Sequence, residues 1–178
     1  WADYKDEPDT EGDVYAQHIS SEGILEWEEM GKALTNKSGQ QTSLNMCKDG
    51  EGGVFVIWKD YQPSSYGYIY GTHISADGSI INEGEGVPIV EYDSYKGYAS
   101  LEFSGTGSAV LVWQDERFGN GNGVWDEGEP YSDDNGNGIW DDGEWFEELN
   151  GVDLFSQRIS HENGELLVHW STTEEGGK

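Results

Sequence analysis

Trp1, Trp58 and Trp113 stand 57 and 55 residues apart, and each is followed two places later by an aspartate, Asp3, Asp60 and Asp115. A second echo runs through DVYAQHISSEG at 13–23, YIYGTHISADG at 68–78 and DLFSQRISHENG at 153–164. The step from 13 to 68 is 55 residues, whereas the step from 68 to 153 is 85. The excess of 30 equals two copies of a 15-residue unit, GNGNGVWDEGEPYSD then DNGNGIWDDGEWFEE, which fill 119–148. A unit of about 55 residues that recurs along a chain buries its apolar face against its neighbours, which restricts the fold to stacked or ringed units. The two short copies read as an insertion into one connection of this repeat.

Inside each repeat the apolar residues alternate or form short runs bounded by Gly, Asp, Asn and Ser, a pattern of strands and turns. The first full copy predicts strands at 14–19, 24–27, 42–47 and 54–58. The second predicts 69–74, 80–81 extended toward 87, 98–103 and 109–113. Only 144–149 invites a helical turn, before Gly151. Four short strands closing on W-x-D predict an all-β chain of propeller-like blades. Residues 1–12 then end one blade, 13–67 and 68–117 are full blades, 118–149 is the insertion, and 150–178 begins a further blade.

The series W-x-D, acidic loop, D-[VL]-[YF]-x-Q-[HR]-I-S, then GG-[VA]-hydrophobic-W resembles propeller-like repeats of large secreted proteins, notably those of Bacteroidota exported with a type IX sorting tail. That resemblance implies a secreted or cell-surface location and attaches no biochemical activity. Closed propellers need roughly four to eight blades, and an open stack exposes sheet edges that invite pairing. The expectation is a segment of a longer polypeptide, or several chains combining into a ring or fibre. The start at Trp1 rather than Met, and the ending EEGGK, fit a processed or excised piece.

The insertion carries its own chemistry. In its second copy Asp133, Asn135 and Asn137 fall at positions 1, 3 and 5 of a twelve-residue loop, with Gly138 at 6, Asp141 at 9 and Glu144 at 12. Calcium takes six to eight hard oxygens, so alternate side chains must turn inward, the glycine must permit the sharp turn, and the last Glu can give two oxygens. The unit resembles EF-hand loops, and more closely the short tandem versions of dockerins and related secreted bacterial proteins. That resemblance implies Asp133, Asn135, Asn137, Asp141 and Glu144 as side-chain ligands, with Ile139 giving its carbonyl. In the first copy it implies Asn120, Asn122, Asp126 and Glu129 with the Val124 carbonyl. Phe118 stands where the first Asp belongs, so that loop would be weak, borrow Asp115 or Glu116, or share a ligand with its neighbour. Trp125 and Trp140 hold the apolar eighth position, where paired loops touch. Thirteen carboxylates from 115 to 153 face one cation, Arg117, and two Ca2+ ions would relieve that repulsion.

Charge bounds the partners. With 36 acidic against 9 basic residues and a net charge of −27, the chain would repel the phosphates of nucleic acid and anionic membrane surfaces. Low hydropathy with high charge can signal disorder, yet eight Trp, ten Tyr and five Phe supply the large apolar surfaces that disordered chains lack. No run approaches the roughly 18 apolar residues of a membrane-spanning helix. Calcium loops of this type fill readily at the near-millimolar levels outside cells. The expected partners are other protein segments or subunits, with glycans as an alternative.

The remaining chemistry-bearing residues favour structural roles. His18 and His73 occupy one repeat position that Arg158 holds in the third copy, so that position is not a fixed ligand. His161 and His169 have no second His or Cys at local metal-binding spacing. Cys47, the only cysteine, sits in an apparent strand and reads as a small buried apolar group. G-x-S-x-G, P-loop and H-E-x-x-H patterns are absent from the sequence. SADGSIIN at 75–82 only half matches a sialidase Asp box, and SEGILEW at 21–27 only faintly matches the G-x-x-x-W of quinone-dependent dehydrogenases. The Trp residues of W-x-D are expected between blades, each Asp capping a turn. GYIY at 67–70 and SSYGY at 64–68 are the alternative, as sugar-stacking aromatics, and Asn36-Lys37-Ser38 is a glycosylation sequon that marks an exposed loop. The reading is a calcium-stabilised extracellular structural or adhesive module without catalysis. The alternatives are a glycan-binding or glycan-degrading propeller fragment and a subunit of an extracellular fibre.

Overall fold

The structure, a computed structural model, describes residues 1–3, 12–62, 64–91, 94–115 and 153–169. The insertion at 118–149, with every calcium ligand expected from the sequence and the helical turn at 144–149, lies outside the described residues.

The described chain is all-β, with no helix among the described residues. Strands β1 (Ala2–Asp3), β2 (Asp13–Ala16) and β3 (Lys32–Thr35) form a first sheet in the order β1-β2-β3. Strands β4 (Gln41–Lys48), β5 (Val54–Asp60), β6 (Tyr68–Ile74) and β7 (Val87–Val90) form a second, in the order β4-β5-β6-β7. Strands β8 (Lys96–Gly105), β9 (Ser108–Asp115), β10 (Asp153–Glu162) and β11 (Glu165–His169) form a third, again in chain order. All neighbours are antiparallel.

Each four-stranded sheet takes the last two strands of one repeat and the first two of the next. The W-x-D therefore ends the second strand of a sheet rather than the fourth, and the hairpin that follows it joins two repeats. That hairpin spans seven residues between β5 and β6 but thirty more between β9 and β10, so the insertion extends one connection without changing the sheet around it.

The repeat is visible as a cross-strand aromatic pair. Trp58 is paired in register with Tyr70, and Phe155 with Trp113. The rings stack with centroids 6.5 and 5.8 Å apart, and Trp1 stacks on Tyr15 at 5.7 Å. Tyr15, Tyr70 and Phe155 are the third residues of the DVY, YIY and DLF echoes, so identical spacing in sequence becomes identical register in the sheets. Trp58 and Trp113 are buried between sheets, whereas Trp1 is half exposed. Asp60 and Asp115 are buried too, each with its own hydrogen bonds. Asp60 accepts the Gln62 amide at 2.9 Å in a turn, as expected, while Asp115 accepts the Ser94 hydroxyl and, at 3.1 Å, the Trp113 indole N–H.

One placement differs from the sequence reading. No strand forms at 24–27; Ile19 and Leu25 make only an isolated bridge across a turn, and the next strand is β3. The same happens at Ile74 and Ile80, before β7. In both copies the Ile-Ser-x-x-Gly turn closes on itself, with Gly23 and Gly78 donating back to Ser20 and Ser75, and the chain must then travel to a second glycine before it can re-pair. Those glycines are Gly31 and Gly86, with φ of +75° and +67°, and each lies against the W-x-D indole of its own sheet. A methyl group on Gly86 would collide with the Trp58 ring and would also hold a conformation that L-residues avoid. Gly86→Ala is expected to destabilise the protein by roughly 2–4 kcal/mol, combining overpacking with backbone strain. A lowered urea midpoint at unchanged slope would register it.

The sheets stack face to face. Along β5, Phe55 and Ile57 point into one core with Ile69, Ile89, Leu101, Leu111, Trp113 and Ile159, which joins the second and third sheets. Val56 and Trp58 point into the other core with Val14, Leu34, Tyr70 and Ile74, which joins the first and second. Strand side chains alternate between faces, so a continuous run such as VFVIW is the signature of a strand covered on both sides. The outer face of the third sheet leaves Val112 and Leu154 exposed.

Candidate metal centre

At the opposite end of the strands from the W-x-D motifs, β4 turns into β5 through DGEGG at 49–53. Asp49 builds this turn. Its amide donates to the Gly53 carbonyl at 3.0 Å, and its Oδ1 accepts the amides of Glu51 at 2.7 Å and Gly53 at 2.9 Å. A side-chain carboxylate that satisfies two turn amides is the ordinary Asx device for fixing a glycine-rich bend. Gly53 is required because a Cβ there would strike the Ile74 carbonyl and Asp49 Oδ2. The turn also docks on the β8–β9 hairpin: Gly107 donates to the Asp49 carbonyl at 2.8 Å, and the Gly107 carbonyl accepts the His161 amide at 3.2 Å.

With Oδ1 occupied, Oδ2 faces inward. It lies 2.8 Å from Nε2 of His73, which β6 places directly across from Phe55. The His161 ring, carried by β10 from the third sheet, stacks on His73 with centroids 3.8 Å apart and planes at 11°. Phe55 closes the apolar side of both rings at 4.9 and 5.7 Å. His161 Nε2 is 3.9 Å from Asp49 Oδ2 and 3.4 Å from Glu51 Oε2, and it is buried with no hydrogen bond. Asp49 and His73 are buried, while Glu51 is half exposed and opens the site to water.

Electrostatics follow from these contacts. Burial pushes the Asp49 carboxyl upward, but the Glu51 amide, His73 and the Gly53 amide together outweigh it and hold the group below the usual aspartate range. Burial holds His73 below the ordinary imidazole value; the hydrogen bond to Asp49 opposes this, and the neighbouring His161 adds to it. An ionised Asp49 thus faces a neutral His73 that donates from Nε2.

Asp49, His73 and His161 offer one carboxylate oxygen and two imidazole nitrogens that all lie within 4.8 Å of one another, a group that could hold a metal ion. Reading the histidines one at a time missed it. His73 shares its repeat position with Arg158, and the nearest ligand in sequence is 24 residues away. A usable signal was the departure from the repeat: His161 stands where the preceding copy has Ala76, and Asp49 where the following copy has Ser104.

The other titratable candidates keep plain roles. His18 makes an exposed 2.8 Å pair with Glu26, and His169 shares a 2.7 Å hydrogen bond with Ser160. Cys47 is a free thiol that burial pushes up to about 11, with Glu102 and Asp49 adding to the shift, so it is neutral at physiological pH. Between the first and second sheets lies a cleft of about 540 Å³ lined by Tyr15, Trp27, Leu44, Met46, Val54 and Ile74 among others. Of the tyrosines nominated for sugar stacking, Tyr66 is exposed and Tyr70 is buried under Trp58. Asn36 of the sequon is exposed. No protein-family model, curated protein or solved structure matches this chain.

Proposed function

We propose that the chain is a non-catalytic, calcium-stabilised, propeller-like module of a secreted or cell-surface protein, working as a structural or adhesive scaffold. The observation that carries this reading is the recurrence of one unit. Three antiparallel sheets, each with a W-x-D strand whose indole stacks on the aromatic of the next strand, lie face to face. Blades of a propeller meet in that way, and the exposed Val112 and Leu154 offer a further sheet an apolar surface. The two calcium loops rest on the spacing of their ligands in the sequence, within the connection between β9 and β10. Other protein segments or subunits are the natural partners, since a net charge of −27 repels nucleic acid.

Calcium is the test. Adding millimolar Ca2+ to EGTA-treated protein is expected to change the tryptophan emission of Trp125 and Trp140 and to release binding heat, with Asp133→Ala and Glu144→Ala abolishing the response of the second loop. An unchanged spectrum with no binding heat would sink the calcium part of this proposal. Glycan recognition is the second reading, favoured by the aromatic lining of the cleft. A polysaccharide array separates the two: retention that Trp27→Ala removes supports the glycan reading, and no retention leaves the scaffold.

A further inference from the structure

We infer that Asp49, His73 and His161, completed by Glu51, form a structural site for a divalent transition metal of the zinc class, which pins the second sheet to the third. The inference stands on donor chemistry first. Two imidazole nitrogens and a carboxylate suit zinc and its first-row neighbours, whereas calcium and magnesium demand an all-oxygen shell. This site is therefore distinct from the expected calcium loops in both its residues and its ligand type.

The second argument is the orphaned nitrogen. His161 Nε2 is buried, faces two carboxylates at 3.4 and 3.9 Å, and makes no hydrogen bond to either. A buried polar atom left unsatisfied is unfavourable, and an absent ion is one of the few things that accounts for it. The third argument is reach. Tetrahedral zinc with bonds of about 2.0–2.1 Å sets its ligands about 3.3 Å apart. The three donors lie within 4.8 Å already, so the widest pair closes by at most about 1.5 Å. His161 is the ligand free to move, because its Nε2 makes no hydrogen bond, whereas His73 already stands beside Asp49; as the ion binds, the His73 proton shifts from Nε2 to Nδ1 and the hydrogen bond to Asp49 gives way to two metal bonds. Turning the His161 ring splays the parallel stack and aims both nitrogens at one point. Glu51, half exposed at the mouth, swings in as the fourth ligand and closes the shell. A closed four-ligand shell is the mark of a structural rather than a catalytic ion.

Position explains what the ion would do. The ligands come from the β4–β5 turn, from β6 and from β10, so a single ion bonds both sheets at the end of the strands opposite the W-x-D motifs. The equivalent interface between the first and second sheets has His18 but carries Ala76 where His161 would be needed. It is open there as the apolar cleft, which His18 and Ala76 both line.

The test uses the full chain, stripped of metal and then saturated with calcium so that carboxylate loops are filled. Zinc is added while the imidazole nitrogens are followed by long-range proton–nitrogen correlation spectra. One equivalent is expected to shift the Nε2 resonances of His73 and His161 and leave those of His18 and His169 in place. Cobalt in place of zinc should give visible bands of tetrahedral intensity. His161→Gln and Glu51→Gln should each weaken zinc binding about tenfold or more, and His18→Gln should not. Absence of saturable binding, or shifts confined to His18 and His169, overturns the inference. So does unaltered affinity in a folded His161→Gln protein, since zinc would then be sitting on surface carboxylates. The spectra of the unmodified chain decide the matter even if a variant fails to fold.

Discussion

Trp58→Ala is expected to destabilise the protein by about 3–5 kcal/mol, the range for deleting a large aromatic from a packed interior. The indole is buried, stacks on Tyr70, and fills the space left open by Gly86 between the first and second sheets. Its removal leaves a void bounded by two sheets whose backbones are fixed by their ladders, so little collapse can relieve it. Its N–H makes no hydrogen bond among the described residues, so the loss is one of packing. Trp58→Phe should therefore recover more than half of the stability. Trp1→Ala, at a half-exposed position, should cost less than about 1 kcal/mol. Urea unfolding of the three variants gives the ordering, and a Trp58→Ala protein as stable as Trp1→Ala would show that the stacking of sheets does not depend on this ring.

Asp49→Ala should cost about 2–4 kcal/mol in the metal-free protein. The carboxylate satisfies two turn amides and His73 at once, so its loss strands three donors and loosens a bend that contains two glycines besides Gly53. Asp49→Asn should cost less, because the amide oxygen can still accept from the turn, but it removes the charge that faces His73. The readout that separates a local from a global effect is amide hydrogen exchange. Faster exchange at Glu51, Gly53 and Gly107, with β5 still protected, places the damage in the hairpin; uniform loss across β5 would assign Asp49 to the core of the fold instead.

Much of this architecture was legible in the sequence because period-two patterning and repeat spacing report local pairing. The 55- and 85-residue steps were read as one repeat with an insertion, and the structure turns them into one register, with Tyr70 opposite Trp58 and Phe155 opposite Trp113. The run VFVIW marked a strand, and the structure adds that both of its faces are covered. The return strands were misplaced because Ile-Ser-x-x-Gly looks like a hairpin and makes only a bridge, while re-pairing waits for Gly31 and Gly86. The offset of sheets from repeats was hidden because W-x-D is a landmark of spacing and says nothing about which strands share hydrogen bonds. The Asp49, His73 and His161 group was illegible for a different reason. Its members meet only when one sheet is laid on another, and no local spacing encodes that.

The connection that carries the thirty extra residues leaves the third sheet at Asp115 and returns at Asp153, which face each other directly across the ladder. A connection whose two feet already stand side by side asks no change of the ladder beneath it when it lengthens. Evolution or an engineer can exchange the whole segment as one cassette, and the paired residues at its base will hold the register for the replacement.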